Sequence, residues 1–299
     1  MTAHPVRRVE ETALSWLTEH QHHFALGADA LSPEGPVNAS WKPLGELAQV
    51  CATLSLHTPP SDPLHARVQD LLTFAWHQTD DGALFVRLQQ AEPFATYPLE
   101  VYAAFAAAGL RHPDYEPRAA TVARTRGWQL AEQDPTRRLG VVLAERHSGI
   151  PGRAPLERVV ERTWLGGLPE PWTFERHSGY ALTHVVFHLT DWGRGGPGLP
   201  AELAEYVRDW LPAWLATCLE AGMWDLSCEL LAVAASLPHP PDEATTHEGW
   251  TRIAAAQLPS GGLPEEASGA GDFAHTYHST LMAAFAAGLT AHRGQGEYG

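Results

Sequence analysis

The chain has 299 residues, of which 44% are hydrophobic and 18% charged, which is enough apolar material for a sizeable core and excludes a disordered chain. Its 20 lysines and arginines face 35 aspartates and glutamates, and the formal charge of −15 argues against nucleic acid and anionic membranes as partners. The sequence predicts a soluble, cytoplasmic protein for three reasons. It has only three cysteines, it has no apolar run of the ~18 residues that a membrane span needs, and it has no apolar signal segment near Met1.

Apolar residues recur at helical spacing, alanine and leucine dominate them, and strand-like runs are nearly absent. Proline and glycine cluster between the apolar segments, where they end helices. Asp62-Pro63, for example, combines an N-cap with a proline at the first helical position. The pattern predicts an all-α protein. Helices are expected at about residues 6–23, 43–56, 62–77, 97–109, 117–132, 137–147, 155–165, 180–190, 201–219, 224–236, 243–257 and 277–291.

Every second predicted helix is the more apolar of its pair, so we expect buried and surface helices to alternate. Tyr97 and Tyr277 each precede an Ala-Ala-Phe-Ala-Ala sequence, and Tyr180 and Trp224 open two further related helices. With weaker starts near 43 and 137, the period is roughly 40–55 residues, typical of a two-helix repeat. The pattern predicts one domain over residues 1–299, an α/α toroid of about six helical hairpins. The alternative is an open α-solenoid.

Two stretches, residues 80–97 and 257–278, share a glycine turn followed by a helix that opens near Thr-Tyr. This repeat resembles that of the terpenoid-cyclase and protein-prenyltransferase toroids. The resemblance implies the toroid and, from the zinc prenyltransferases, a metal held by Asp225, Cys228 and His275. Two residues separate Asp225 from Cys228 where that family has one, and the DxDD and DDxxD cyclase motifs are absent. The resemblance therefore does not carry over the reaction.

Ligand-type side chains occur near the starts of three consecutive predicted inner helices. His184 and His188, in a segment similar to a motif of uncharacterised bacterial proteins, are four residues apart and share one helix face. In a toroid, the starts of the inner helices point to the same end of the central cavity. We therefore predict a metal site there. Its ligands are His184, His188, Cys228 and His278, followed by Asp225 and His275.

These ligand types predict one divalent transition metal: zinc first, and iron or copper if histidines alone bind it. Each residue also has a structural alternative. Cys228 is equally a small buried apolar side chain, Asp225 a partner of the helix dipole, and the histidine pair hydrogen-bonded core residues. Asp191 is too far along the helix from His184 to share its ion, so we expect it to support His188 or to end the helix.

Three further residues are candidates for proton transfer or substrate orientation: Tyr180, His177 and Glu100. Tyr180 and Trp224 would lie at the cavity mouth, which favours an apolar or aromatic substrate. Glu100 is the lone charge on its predicted helix, where it acts as an acid or base or pairs with an arginine.

The favoured hypothesis is a metal-dependent enzyme acting on a small or medium substrate, as a hydrolase, lyase, transferase or oxygenase. The first alternative is a zinc-thiolate transferase like the prenyltransferases. The second is a helical-repeat module that binds a peptide without catalysis. The sequence carries no P-loop, no GxGxxG after a strand and no GxSxG, so it does not support nucleotide binding or serine hydrolysis.

Overall fold

The computed structural model describes residues 3–32, 35–150, 152, 154–269 and 271–296. The α-helices are α1 (Ala3–Glu19), α2 (Trp41–His57), α3 (Pro63–Gln78), α4 (Ala83–Ala91), α5 (Tyr97–Ala107), α6 (Tyr115–Ala123), α7 (Arg126–Gln129), α8 (Pro135–His147), α9 (Leu156–Val160), α10 (Arg176–Leu189), α11 (Ala201–Glu220), α12 (Trp224–Ser236), α13 (Glu243–Ala256) and α14 (Tyr277–Gly296). These residues form no strand beyond an isolated antiparallel bridge between Met223 and Glu266.

The all-α prediction is therefore confirmed. Toroid and solenoid remain alternative predictions, and the two ends of the predicted 1–299 domain lie outside the described residues. Within the described part of the chain, no helix combines the length and the apolarity that crossing a membrane requires.

The helices depart from the sequence prediction for local reasons. Residues 83–91, expected as a loop, form α4 directly after Gly82, whose φ of 92° lets the chain turn into the helix. The helix predicted over 117–132 is interrupted because Thr125 is extended and its side chain accepts a hydrogen bond from the Trp128 N–H, which starts α7. Helix α10 begins four residues before position 180, because Glu175 and Ser178 form a capping box.

Helix packing divides the chain into two compact units. Unit 1 consists of Met1–His20, Thr53–Val68 and Trp164–Gly299, and unit 2 of Gln21–Ala52 and Gln69–Thr163. Helices α2 and α3 each contribute residues to both units.

The core of unit 1 is built around α14, against which α1 and α12 both pack closely. Alanines at 283, 284, 286 and 287 are fully buried and let the neighbouring helices approach. At Gly288 even a Cβ would lie 2.2 Å from Cδ2 of Leu54, so the packing there excludes a side chain. Helix α12 in turn packs against α10 and α11.

The core of unit 2 is aromatic. Phe85 of α4 lies at its centre, with its ring centroid 5.3 Å from Tyr102, 5.7 Å from Tyr115 and 5.5 Å from Trp41. Helix α5 packs against α8, and α4 packs against α5 and α6. Full burial of such rings contributes about 1.5–3 kcal/mol each, so this core holds the short helices together.

Candidate metal centre

Three helices of unit 1 meet at a cluster of polar side chains. Helix α10 approaches α12 closely because position 179 is glycine: a Cβ there would lie 2.8 Å from Cδ2 of Leu226. Tyr180 and Thr183 follow, three residues apart and thus on one face of α10. The close approach brings both side chains within reach of α12.

Helix α12 contributes two carboxylates to the cluster. Asp225 and Glu229 are one helical turn apart and both are buried, with side-chain exposures of 6% and 0%. The start of α12 is fixed by backbone contacts, since the Asp225 N–H donates to the carbonyl of Glu265 at 3.2 Å. On α14, His278 lies in the first turn and faces α12, with 15% of its side chain exposed.

Asp225 is bonded through both of its carboxylate oxygens. The Tyr180 hydroxyl donates to Oδ2 at 2.7 Å, and Nδ1 of His278 lies 2.7 Å from Oδ1. This arrangement orients the imidazole so that its other nitrogen, Nε2, lies 3.9 Å from Oε1 of Glu229.

Glu229 lies between two histidines. Its Oε1 faces Nε2 of His278, and its Oε2 lies 3.7 Å from Nδ1 of His184 and accepts a hydrogen bond from the Thr183 hydroxyl. Nδ1 of His184 is also 2.8 Å from the carbonyl of Tyr180. A neutral His184 therefore donates from Nδ1 and carries its lone pair on Nε2.

One ligand atom from each of Asp225, Glu229 and His278 lies within 4.8 Å of the other two. Ligands bind zinc at ~2.0–2.2 Å, so donor atoms around one ion are about 3–4 Å apart. The three donor atoms are thus close to the separation that a single ion requires. His184, 37% exposed, lies on the open side of the cluster.

The charges of the cluster act on one another. Burial by itself would raise the pKa of Asp225, but the facing His278, the Tyr180 hydrogen bond and the nearby His184 outweigh it and lower that pKa below its ordinary value. Burial, followed by the negative charge of Asp225, raises the pKa of the Tyr180 phenol well above its usual value. Asp225 is therefore ionised and Tyr180 is a hydroxyl donor at neutral pH.

The structure brings four of the predicted site residues together: Tyr180, His184, Asp225 and His278. It adds Glu229, which sequence reasoning missed. The signal was present, because Glu229 is the second acid of an otherwise apolar helix and lies one turn from Asp225. Thr183, the hydroxyl partner of Glu229, was missed as well.

Three further predicted ligands lie outside this group. His188 is one turn beyond His184, with the ring centroids 6.4 Å apart. Cys228 is fully buried, and burial together with Asp225 and Glu229 raises the pKa of its thiol well above the usual value. His275 is exposed, and its Nδ1 lies 2.7 Å from Asp272.

The two other proton-transfer candidates also have different surroundings. His177 is exposed in the first turn of α10. Glu100 belongs to unit 2, where it pairs with Arg137 at 3.0 Å, the structural alternative considered for it. Asp191 lies two residues after the end of α10 and forms a 2.7 Å ion pair with Arg194.

Comparison with protein families gives a match over residues 10–288 to the family described as a domain of unknown function, DUF6895. Because the match covers most of the chain, the protein belongs to this family. Comparisons with curated proteins and with solved structures give no match.

Proposed function

We propose that this DUF6895 protein is a metal-dependent enzyme whose metal is held by Asp225, Glu229 and His278. One observation carries the proposal: donor atoms from these three side chains, on two different helices, lie within 4.8 Å of one another in the interior of unit 1. Two of the three side chains are carboxylates with almost no exposure to solvent.

Charge balance supports a cation at this position. Burying two carboxylates is costly unless positive charge compensates them. A divalent ion supplies that charge, and it would take the place of one proton of the His278 imidazolium that pairs with Asp225 in the metal-free protein. Metal binding is therefore expected to release a proton.

The donor set favours a transition metal. Imidazole and carboxylate ligands together suit zinc and ferrous iron, whereas magnesium and calcium prefer oxygen ligands alone. We propose zinc as the first candidate, with iron or copper as alternatives.

A metal at this site would polarise a small or medium substrate or activate a water molecule. Tyr180 would orient Asp225 beside it, since the single O–H proton of Tyr180, whose pKa is raised, is donated to that carboxylate. His184, on the more exposed side, would accept a proton through Nε2, because its Nδ1 faces the Tyr180 carbonyl.

The zinc-thiolate transferase is the second hypothesis, and it makes a different prediction. It requires Asp225, Cys228 and His275 as ligands, so Cys228→Ala would abolish metal binding. Under our proposal, Cys228→Ala keeps the metal. The non-catalytic binding module predicts no stoichiometric metal in any form of the protein.

The test is metal content by elemental analysis, together with zinc titration calorimetry of the EDTA-treated protein in two buffers of different ionisation enthalpy. We expect about one equivalent in the parent, proton release on binding, and loss of the metal in Asp225→Asn and Glu229→Gln. His77→Ala is the matched control, because His77 and Asp81 form the same 2.7 Å pair on the surface of unit 2. Zinc binding that survives both substitutions, or no binding by the parent, would contradict the proposal.

A further inference from the structure

The chain leaves α10 through an unfavourable turn. Asp191 and Trp192 have φ values of 49° and 54°, in the left-handed region that residues with a Cβ seldom adopt, and Gly193 follows at 82°. Two consecutive non-glycine residues in this region persist only where the surrounding structure holds them.

Hydrogen bonds to α10 and α2 hold this turn. The Trp192 N–H donates to the carbonyl of Phe187 at 2.6 Å. Arg194 binds Asp191 at 2.7 Å and also donates to the hydroxyl of the buried Thr53 at 3.1 Å. The residues before and after Trp192 are thus hydrogen-bonded to α10 and to α2.

Two further contacts fix the next residue, Gly193. Nε2 of His57 donates to its carbonyl at 2.9 Å. A Cβ at this position would lie 2.5 Å from Cδ2 of Leu289, so the backbone lies directly against α14. The backbone on both sides of Trp192 is therefore held by hydrogen bonds and by packing against α14.

The anchored ring lies beside the metal centre. One part of Trp192 packs on Phe187 and Phe285, at centroid distances of 4.9 and 5.5 Å. Its centroid is 6.4 Å from the rings of both His184 and His188, which stand nearly perpendicular to it. His184 in turn approaches Glu229 of the cluster.

Four half-buried side chains spaced four residues apart form a continuous strip: Tyr180, His184, His188 and Trp192. The strip connects to the cluster at two points, through Tyr180 to Asp225 and through His184 to Glu229. Trp192 is therefore linked through His184 to the side chains of the cluster.

We propose that Trp192 is a specificity-determining residue that binds an aromatic ring of the substrate beside the metal centre. The inference rests on the proposed function, because it places the substrate relative to Asp225, Glu229 and His278. Aromatic rings stack on or against tryptophan at centroid distances of ~4.5–7 Å, and an anchored side chain loses little freedom when they bind. The strained, tied-down turn positions the ring for this contact.

The experiment is a ligand-observed NMR titration of the zinc-treated protein with benzyl alcohol and with cyclohexylmethanol, its non-aromatic counterpart. Benzyl alcohol is expected to bind with a Kd of about 1–10 mM, as befits eight non-hydrogen atoms, and about 5-fold more tightly than cyclohexylmethanol. Trp192→Ala should weaken benzyl alcohol binding about 5-fold, whereas Trp192→Phe, which keeps an aromatic face, should stay within about 2-fold of the parent.

Trp172→Ala is the matched control, since Trp172 is 79% exposed on a separate turn of unit 1. Equal binding of the two alcohols, unchanged binding in Trp192→Ala, or no binding of benzyl alcohol would overturn the inference. Zinc titration of the same variants separates the two proposals. Unchanged zinc affinity in Trp192→Ala, with lost benzyl alcohol binding, supports both. Trp192-dependent binding in a parent that takes up no zinc supports the aromatic subsite and rejects the metal centre.

Discussion

Helices α5 and α14 begin with the same pattern but serve different surroundings. Each starts at a tyrosine, Tyr97 or Tyr277, and each has a phenylalanine eight residues later within Ala-Ala-Phe-Ala-Ala. Phe105 of α5 and Phe285 of α14 are both fully buried. Helix α5 belongs to the aromatic core of unit 2, whereas α14 borders the polar cluster of unit 1.

The two helices differ at several positions, and one of them is the residue directly after the tyrosine. Helix α5 has Pro98 there, which has no polar side chain, and α14 has His278, which meets Asp225. The shared alanines and phenylalanine pack each helix in its unit, and the residue after the tyrosine gives α14 its contact with Asp225.

The shared phenylalanine should contribute a similar free energy of unfolding in both helices. Phe105→Ala and Phe285→Ala each remove a fully buried ring and leave a cavity, which costs about 3–5 kcal/mol of unfolding free energy. Urea unfolding of the two variants, followed by circular dichroism, measures this. A loss below about 1 kcal/mol in either variant would show that the two helices do not share a packing role.

The residue directly after the tyrosine should affect metal affinity in α14 but not in α5. His278→Ala removes a proposed ligand and should weaken zinc binding at least about 100-fold, since even supporting partners of ligands contribute ~10–100-fold. Pro98→Ala at the matching position of α5 should leave zinc affinity within about 2-fold. Calorimetric titration of both variants tests the comparison, and an equal effect of the two substitutions would refute it.

The contact between His278 and Asp225 should make the free energy of unfolding depend on pH in the metal-free protein. The pKa of Asp225 is lower in the folded state than its ordinary value of 3.8, so its contribution is present above that pH and is lost as the pH falls through the folded pKa. His278→Ala removes the main favourable partner, raises the folded pKa and costs about 2 kcal/mol at pH 7.

Urea unfolding of the parent and of His278→Ala, in EDTA between pH 7 and pH 3, measures this dependence. The difference between the two proteins should shrink toward low pH, and acid unfolding of the variant should begin at the higher pH. A difference in unfolding free energy that stays constant across this pH range would show that Asp225 does not cause the pH dependence.

The smallest effect is expected at the position that follows the shared Ala-Ala-Phe-Ala-Ala sequence, which is Ala108 beside α5 and Gly288 in α14. Gly288→Ala places a Cβ 2.2 Å from Cδ2 of the buried Leu54. The crowding costs ~1–3 kcal/mol and alanine's better helix propensity returns about 1, so a net loss of about 1 kcal/mol is expected. Thermal unfolding measures it, and a stabilised Gly288→Ala would contradict the close packing.

Much of the fold was predictable because its signals are local. Helical spacing, proline and glycine breaks and the repeated Tyr-to-Phe pattern lie within one or two turns of sequence, and they identified the all-α class and most helices. The missed helix α4 and the interrupted 117–132 segment depend on turn geometry at Gly82 and Thr125, where propensity is a weak guide.

Sequence patterns predict the helical class and single out Asp225 and His278 as ligand-type residues. Which residues meet depends on how the helices pack. His275 and His278 are equivalent by type and spacing, yet α14 starts at Tyr277, so His278 faces Asp225 whereas His275 turns to Asp272 on the surface. Glu229 and Trp192 likewise acquire their positions from contacts with other helices. The reason is physical: helix formation depends on neighbours a few residues away, whereas a site of residues about 50 positions apart depends on how the helices pack.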